Sequence, residues 1–448
     1  MMPKEALECF GLVAFRPPQD AIVDAVLEGR DVQVLMPTGG GKSLTYQLPA
    51  MCRPGFTVVI SPLISLMQNQ VQALHALGIG AVALTSDSEI GDAERTLSDL
   101  CSGDSNVRLV YVAPESAMKP RFLQHLRACH AAGRLQRFAV DECHCIVQWG
   151  HDFRPEYATL GLLRQQMPGV PIIALTASAS PEMLGGIATM LRLRDPAVFK
   201  ASFNRPNLRY GIVPKTKSVV MDMFEQIKHL NALASSGIIY CFKTGDCEKV
   251  AEELTEIWQR DNLANRGKPY AAPYHAKMDS AVRAETQRRW MSGAIRVVVA
   301  TIAFGMGIDK PDVRFVLHHT MSKSLEGYYQ ESGRAGRDGA LADCVLYYSG
   351  SDYHLLNFVT KNTDATNRDR EARGFQPITE EATAKSLEAL SAMREYAQSQ
   401  SCRRAAQMAH FGETFNPARC GEAGAPCDFC RGKGQRPVTH YFRGSGKK

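Results

Sequence analysis

Short apolar runs alternate with longer, helix-like stretches over the first two hundred residues of this chain. The runs at Val32–Met36, Thr57–Ser61, Leu109–Val112, Phe138–Val140 and Ile172–Leu175 have strand character. Strands recurring between helical stretches predict a parallel α/β sheet. Phe203–Asn207 reads as a linker. A second alternation follows, with strands near Gly237–Cys241, Val297–Ala300, Phe315–His318 and Cys344–Tyr348. Strand signals fade after Asp352, and Thr379–Phe411, rich in Ala, Glu, Leu, Met and Arg, predicts helix. The expected fold class is α/β, with two tandem parallel-sheet domains and a small helical subdomain. The divisions fall at 1–202, 203–353 and 354–430, with 431–448 as a basic tail.

Composition narrows the partners. At 448 residues the chain can hold two or three cores, and 45% hydrophobic with 22% charged residues is ordinary for a globular protein. No apolar run approaches the roughly 20 residues of a membrane span. Met1–Phe10 carries Lys4 and Glu5 with no long apolar stretch, unlike a secretory signal. The net charge is +6, from 52 basic and 46 acidic side chains. Residues 431–448 hold six Lys/Arg and no acid, which leaves 46 against 46 in the body. Nucleic acid would therefore have to follow a local basic groove rather than a global field. Without a secretory signal, the thirteen cysteines predict reduced thiols and a metal site rather than disulfides.

Three constellations carry chemistry. After the Val32–Met36 strand comes Thr38-Gly-Gly-Gly-Lys-Ser43, then helix-like Leu44–Leu48. Strand, glycine turn and helix is the context of a phosphate-binding loop, in which backbone N–H groups converge on phosphate oxygens. Thr38, Gly39, Gly40 and Gly41 would form the cradle, Lys42 would reach the β- and γ-phosphates, and Ser43 would hold Mg²⁺. Met36 stands where the strict pattern has its first glycine. Phe138-Ala-Val-Asp-Glu-Cys-His144 ends an apolar strand in two carboxylates. Asp141 would bind Mg²⁺ and Glu142 would polarise the attacking water. Tyr328-Tyr-Gln-Glu-Ser-Gly-Arg-Ala-Gly-Arg-Asp-Gly339 places Arg334 and Arg337 three apart, predicting one helical face. A cradle in one half and paired arginines in the other suggest a nucleotide held between two domains. Finally, Cys402, Cys420, Cys427 and Cys430, with seventeen, six and two residues between them, suit tetrahedral Zn²⁺, with His410 as the alternative ligand. Cys143 and Cys145 read as packing at the strand end.

Taken together these residues resemble a superfamily-two helicase, and the loop Asp141-Glu-Cys-His-Cys-Ile-Val-Gln-Trp-Gly-His-Asp-Phe-Arg-Pro155 is similar to that of the RecQ DNA helicases. Phe15-Arg-Pro-Pro-Gln19, Ser61-Pro-Leu-Ile-Ser-Leu66, Phe203-Asn-Arg-Pro-Asn207 and Ala300-Thr-Ile-Ala-Phe-Gly-Met-Gly-Ile-Asp-Lys-Pro311 add to it. The resemblance runs from about Phe10 to Cys430 and implies two RecA-like domains followed by a zinc module. It implies that Arg16 and Gln19 grip adenine, with Phe10 as a stacking ring. Gly307, Asp309 and Gln330 would belong to the nucleotide cleft, and Arg334 and Arg337 would act as arginine fingers. His144, Trp149, Phe153 and Arg154 would sense DNA and couple it to hydrolysis, although Trp149 and Phe153 could also be core anchors. Departures include Val147 for the usual serine and Lys277 for the commoner glycine. The implied activity is ATP-dependent 3′-to-5′ DNA unwinding in repair and recombination, with ATP, Mg²⁺ and Zn²⁺ as cofactors. Single-stranded DNA and duplex with a 3′ single-stranded tail are the implied partners, and the nucleus the location. Relatives continue into a winged-helix domain that residues 431–448 can only begin, so hydrolysis and translocation are expected ahead of strong unwinding. An RNA-dependent ATPase of the same superfamily and a non-catalytic DNA-binding scaffold are the alternatives.

Overall fold

A computed structural model of the chain describes all residues except 38, 86–89, 104, 149–158, 178, 180, 306–307, 309, 364–366, 369–376 and 433–448. The chain divides into two compact units, one built on Met1–Phe203 and one whose described residues begin at Asn204. The first contains β1 (Val32–Leu35), β2 (Phe56–Ile60), β3 (Gly80–Leu84), β4 (Val107–Val112), β5 (Leu135–Val140), β6 (Ile172–Thr176) and β7 (Ala197–Lys200). They form one sheet in the order β3-β4-β2-β5-β6-β1-β7, and every pairing is parallel. Helices cover both faces, so neighbouring residues of one strand enter different cores. Val58 and Ile60 pack with Val110 and Phe138, whereas Val59 packs with Tyr111, Ala139 and Ile173. Burial on both faces is why the central strands read as continuous apolar runs.

The second unit repeats the plan with β8 (Leu208–Pro214), β9 (Ser236–Tyr240), β10 (Ala271–Tyr274), β11 (Val297–Ala300), β12 (Val313–His318) and β13 (Ala342–Tyr348). The order is β10-β11-β9-β12-β13-β8, again parallel throughout. The C-terminal helices Glu380–Gln398 and Arg403–His410 lie within the expected helical stretch. Leu390, Met393, Tyr396, Cys402, Cys420 and Cys427 share one apolar cluster with Leu208, Tyr210 and Tyr328. Among the described residues, the apolar face of the helical region thus completes the core of the second sheet.

One cysteine expectation is corrected. Cys101 and Cys129 form a disulfide between helices Ile90–Ser102 and Pro120–Ala131. Packing of the two helices brings their Cα atoms to 4.6 Å, inside the range a bridge can span. The other cysteines are free thiols.

A buried acid ties the amino-terminal end of β1 to its surroundings. Asp31, 6% exposed, accepts from Ile172 N at 2.8 Å and Arg194 N at 2.7 Å, and pairs with the equally buried Arg164 at 2.5 Å. Removing one member of such a pair strands the other charge, at about 3–5 kcal/mol. Asp31→Ala is therefore expected to destabilise the chain by that amount in denaturant titration. A loss within about 0.5 kcal/mol, the size of a neutral surface change, would refute this anchor.

Candidate functional site

Parallel strands deliver their carboxyl ends to one edge, and in the first unit this edge gathers three segments. β6 lies between β1 and β5. Met36 N donates to Thr176 O at 3.1 Å, Cys143 N to Leu175 O at 2.9 Å, and Asp141 N to Ile60 O at 2.9 Å. The phosphate-loop candidate and the carboxylate pair are thus pinned to one sheet. Met36, 1% exposed, extends β1 into the core, which accounts for an apolar residue where the strict pattern has glycine.

Gly39 and Gly41 take φ of +79° and +83°, the left-handed region that glycine enters without penalty. Lys42 Nζ folds back over the loop, donating to Met36 O at 3.1 Å and Pro37 O at 3.5 Å. Ser43 precedes helix Leu44–Cys52. Buried Gln19 braces the loop: its Nε2 donates to Gly41 O at 3.1 Å and Gly40 O at 3.5 Å, while its Oε1 accepts from Arg16 N at 2.8 Å. A Cβ on Gly41 would meet Gln19 Nε2 at 2.3 Å, so this approach also requires glycine. The Arg16 side chain is exposed and reaches Gly39 O at 3.5 Å. Phe10 is half-buried against Leu7, Val23, Leu44 and Leu48. Thr38 lies outside the described residues.

Asp141, 8% exposed, accepts from Glu142 N at 2.9 Å. Burial, with Glu142 beside it, pushes the Asp141 carboxyl up to about 7, against the downward pull of Lys42. Glu142 sits at φ +49°, a left-handed conformation costing a non-glycine residue roughly 1–2 kcal/mol. Its Oε2 is buried without a hydrogen-bond partner among the described residues, 3.4 Å from His144 Nδ1. Burial holds the His144 imidazole below its ordinary range, and its Nδ1 contacts Thr176 Oγ1 at 2.9 Å. A buried acid pair with an unmatched oxygen, beside a lysine and a serine, fits a phosphate-bound Mg²⁺, whose preferred ligands are hard oxygens. Cys143 and Cys145 are fully buried core residues, as expected. Trp149, Phe153 and Arg154 lie outside the described residues.

The second unit positions the arginine pair, and here the helical expectation is corrected. Helix Leu325–Ser332, which carries half-buried Gln330, ends before either arginine. Arg334 and Arg337 occupy the turn that follows, where Gly336 at φ +56° keeps the chain out of helical geometry and donates its N–H to Val313 O at 2.9 Å. The carbonyls this frees are taken by side chains from the linker. Arg205 donates to Gly333 O at 3.1 Å and to Ala335 O and Gly336 O at 2.9 Å; Asn207 Nδ2 donates to Gly336 O and Ala340 O at 2.8 Å. Arg334 is 8% exposed and lies against the Tyr240 hydroxyl, while Arg337 Nη1 donates to Ile308 O at 2.6 Å. Gly307 and Asp309 lie outside the described residues. The sequence reading missed Arg205, Asn207 and Thr176 as supports. Two donor side chains in a short linker were the available signal.

The Sγ atoms of Cys402, Cys420, Cys427 and Cys430 lie within 4.8 Å of one another. Four sulfurs about 2.3 Å from a tetrahedral Zn²⁺ are about 3.8 Å apart, so the set fits that ion. Mutual hydrogen bonds among the thiols pull the ionisation of Cys420 down and push that of Cys402 up, so the fit to the ion rests on the sulfur geometry. His410 faces away, its Nε2 2.7 Å from Glu326 Oε1.

Residues 16–184 match the DEAD/DEAH box helicase family, 221–339 the helicase conserved C-terminal domain and 351–431 the RecQ zinc-binding domain. The chain belongs to the RecQ helicase family. It is 43% identical over 424 residues to the ATP-dependent DNA helicase Q-like 4B of Arabidopsis thaliana, covering 94% of this chain and 36% of that protein. It is 43% identical over 428 residues to the ATP-dependent DNA helicase Q1 of Rattus norvegicus, covering 94% and 63%. This RecQ-family chain thus spans between about a third and two thirds of those relatives. The helicase Lhr of Mycobacterium smegmatis, solved with single-stranded DNA and AMP-PNP, shares the fold at a TM-score of 0.62 and 19% identity, over 88% of this chain and 57% of that one.

The two candidate zinc donors separate cleanly by substitution. His410→Ala is expected to retain full zinc content by metal analysis, because its partner is Glu326. Cys420→Ser should lose the metal and destabilise the Cys402–Cys430 region, since zinc contributes about 10–16 kcal/mol to folding in small modules. Zinc loss in His410→Ala would reverse the assignment.

Proposed function

We propose that this chain is the motor portion of an ATP-dependent DNA helicase that moves 3′ to 5′ on single-stranded DNA and opens duplexes bearing a 3′ tail. The observation that carries the reading is the first unit's edge, where Lys42, Asp141 and Glu142 meet beside a glycine loop, in a chain of the RecQ family. Gly39 to Gly41 and Lys42 would hold the phosphates of ATP. Ser43 and Asp141 would hold Mg²⁺, which supplies charge neutralisation when bound. Gln19, Arg16 and Phe10 would hold the base, and Gly307, Asp309 and Gln330 would complete the nucleotide's surroundings.

Glu142 orients the attacking water and accepts its proton as the phosphoryl group transfers. Arg334 and Arg337 supply the positive charge that the transferring group demands, a contribution worth about 10³–10⁵ in rate where it has been measured. His144, joined to Thr176 at 2.9 Å, would relay the binding of DNA by Trp149, Phe153 and Arg154 to Glu142. Zn²⁺ on four cysteines leaves no open position and serves stability. Nuclear residence and a place in DNA repair and recombination accompany the reading, since the relatives above are a plant and a mammalian DNA helicase. Their names favour DNA over RNA.

Steady-state ATP hydrolysis with and without single-stranded DNA, and with RNA of the same sequence, tests this reading. DNA is expected to stimulate strongly and RNA weakly. Glu142→Gln should keep nucleotide binding but lower kcat by about 10²–10⁴, the usual worth of a positioned base. Equal stimulation by RNA would overturn the DNA assignment. Hydrolysis surviving in Glu142→Gln would remove that residue from the chemistry.

A further inference from the structure

Arg404 is 1% exposed, among the largest fully buried side chains of the protein, yet it touches neither nucleotide nor metal in the reading above. Its guanidinium engages uncharged oxygens. Nη1 donates to Asn204 Oδ1 at 2.9 Å and Arg205 O at 2.6 Å; Nη2 donates to Pro206 O at 3.2 Å, Leu208 O at 2.5 Å and Ala425 O at 2.9 Å. The flat of the group lies 5.6 Å from the Tyr210 ring centroid. Four of the five acceptors belong to residues 204–208, the linker whose Arg205 and Asn207 side chains hold the turn bearing Arg334 and Arg337. Asn207 O also accepts from Ala342 N at 3.1 Å at the far end of that turn. Two hydrogen-bonded layers thus connect helix Arg403–His410 to the arginine pair.

We propose that Arg404 is a positioning residue for Arg334 and Arg337, acting through the 204–208 segment. The proposal rests on the reading that the arginine pair serves ATP hydrolysis. A planar fork can serve several carbonyls at fixed angles, whereas an ammonium is a point donor on a flexible stem. With lysine at this position, some linker carbonyls lose their donor in a buried setting, and the segment relaxes to find others. Arg205 and Asn207 shift with it, and the Gly333–Ala340 turn loses the geometry that aims its guanidiniums. The nucleotide-binding loop lies in the other unit and depends on Gln19 instead, so binding and turnover should separate.

The test is a double-mutant cycle on the full chain. DNA-stimulated ATP hydrolysis is measured for Arg404→Lys, Arg334→Ala and the pair, with zinc content and fluorescent ATP-analogue affinity followed in each. Arg404→Lys should keep both zinc and analogue affinity while kcat falls about tenfold, the pattern of an interaction needed for turnover alone. On the Arg334→Ala background the same change should cost less than about twofold, since residues acting through one another are not additive. An unchanged kcat in Arg404→Lys overturns the proposal, as does a full tenfold loss added to that of Arg334→Ala. If Arg404→Lys loses zinc, Asn207→Ala takes its place with the same expectations. If Arg334→Ala alone leaves kcat intact, the arginine reading itself fails and takes the proposal with it. Additivity in the presence of a strong Arg334→Ala defect defeats the proposal alone.

Discussion

A peptide carbonyl or amide withdrawn from water without a partner costs about 1–3 kcal/mol, and the two glycine-rich turns that hold candidate site residues expose several groups to that cost. Helices and strands satisfy their own backbone; glycine-rich turns cannot. The fold meets the deficit with side chains from neighbouring segments, buried at Gln19 and Arg404 and half-buried at Arg205 and Asn207. Gln19 serves the carbonyls of Gly40 and Gly41. Arg205 and Asn207 serve those of Gly333, Ala335, Gly336 and Ala340. Arg404 then serves the segment that supplies those two. Because each bond is directional, the same groups that satisfy the backbone also fix where the reactive side chains begin.

The electrostatics of the first unit follow from the same withdrawal from water. Asp141 and Glu142 are adjacent, and their environment raises the Asp141 carboxyl through burial first and mutual repulsion second. Lys42 offsets part of this, but its ammonium is engaged with the loop carbonyls of Met36 and Pro37. A divalent cation brought with a polyphosphate would match the remaining negative charge and would also draw Lys42 towards the phosphates. Neutral His144 can bridge this pair to Thr176 without adding a competing charge.

How much of this was legible in the sequence depends on burial. The strands named from hydrophobic runs are interior ones, buried on both faces. The four strands those runs did not mark, β3, β7, β8 and β10, are the edges of the two sheets. Edge strands have one neighbour and a wetter face: β7 reads Ala-Val-Phe-Lys with two exposed positions, and β10 contains Pro273, whose missing N–H an edge tolerates. The candidate residues were nameable from the sequence because the types and spacing of such residues are set by chemistry. Their supports were not, since Arg205, Asn207 and Arg404 act over sequence separations of more than a hundred residues. The arginine spacing misled for a related reason. Three apart suits a helix face, but Gly333 and Gly336 lie between and beside the arginines, and outside donors make leaving the helix affordable.

Leaving the helix also changes what the two arginines can do. On a helix, residues three apart project together and share one environment. In the turn they separate. Arg334 is nearly buried beside Tyr240, with its Nη2 only 3.2 Å from where a Cβ on Gly305 would stand. Any larger residue at 305 would press on that guanidinium and on Ile302 O, 2.7 Å from the same point. Arg337 is instead tethered to Ile308 O. Arg334 therefore lies beside Gly305 and Arg337 meets Ile308, at different points and with different freedom. The buried one is restrained by packing and the other by its hydrogen bond to Ile308 O. A turn fixed from the linker side and met at two points by another loop has few ways to move one arginine without the other, which is the rigidity a pair of charges would need in order to act on one phosphoryl group.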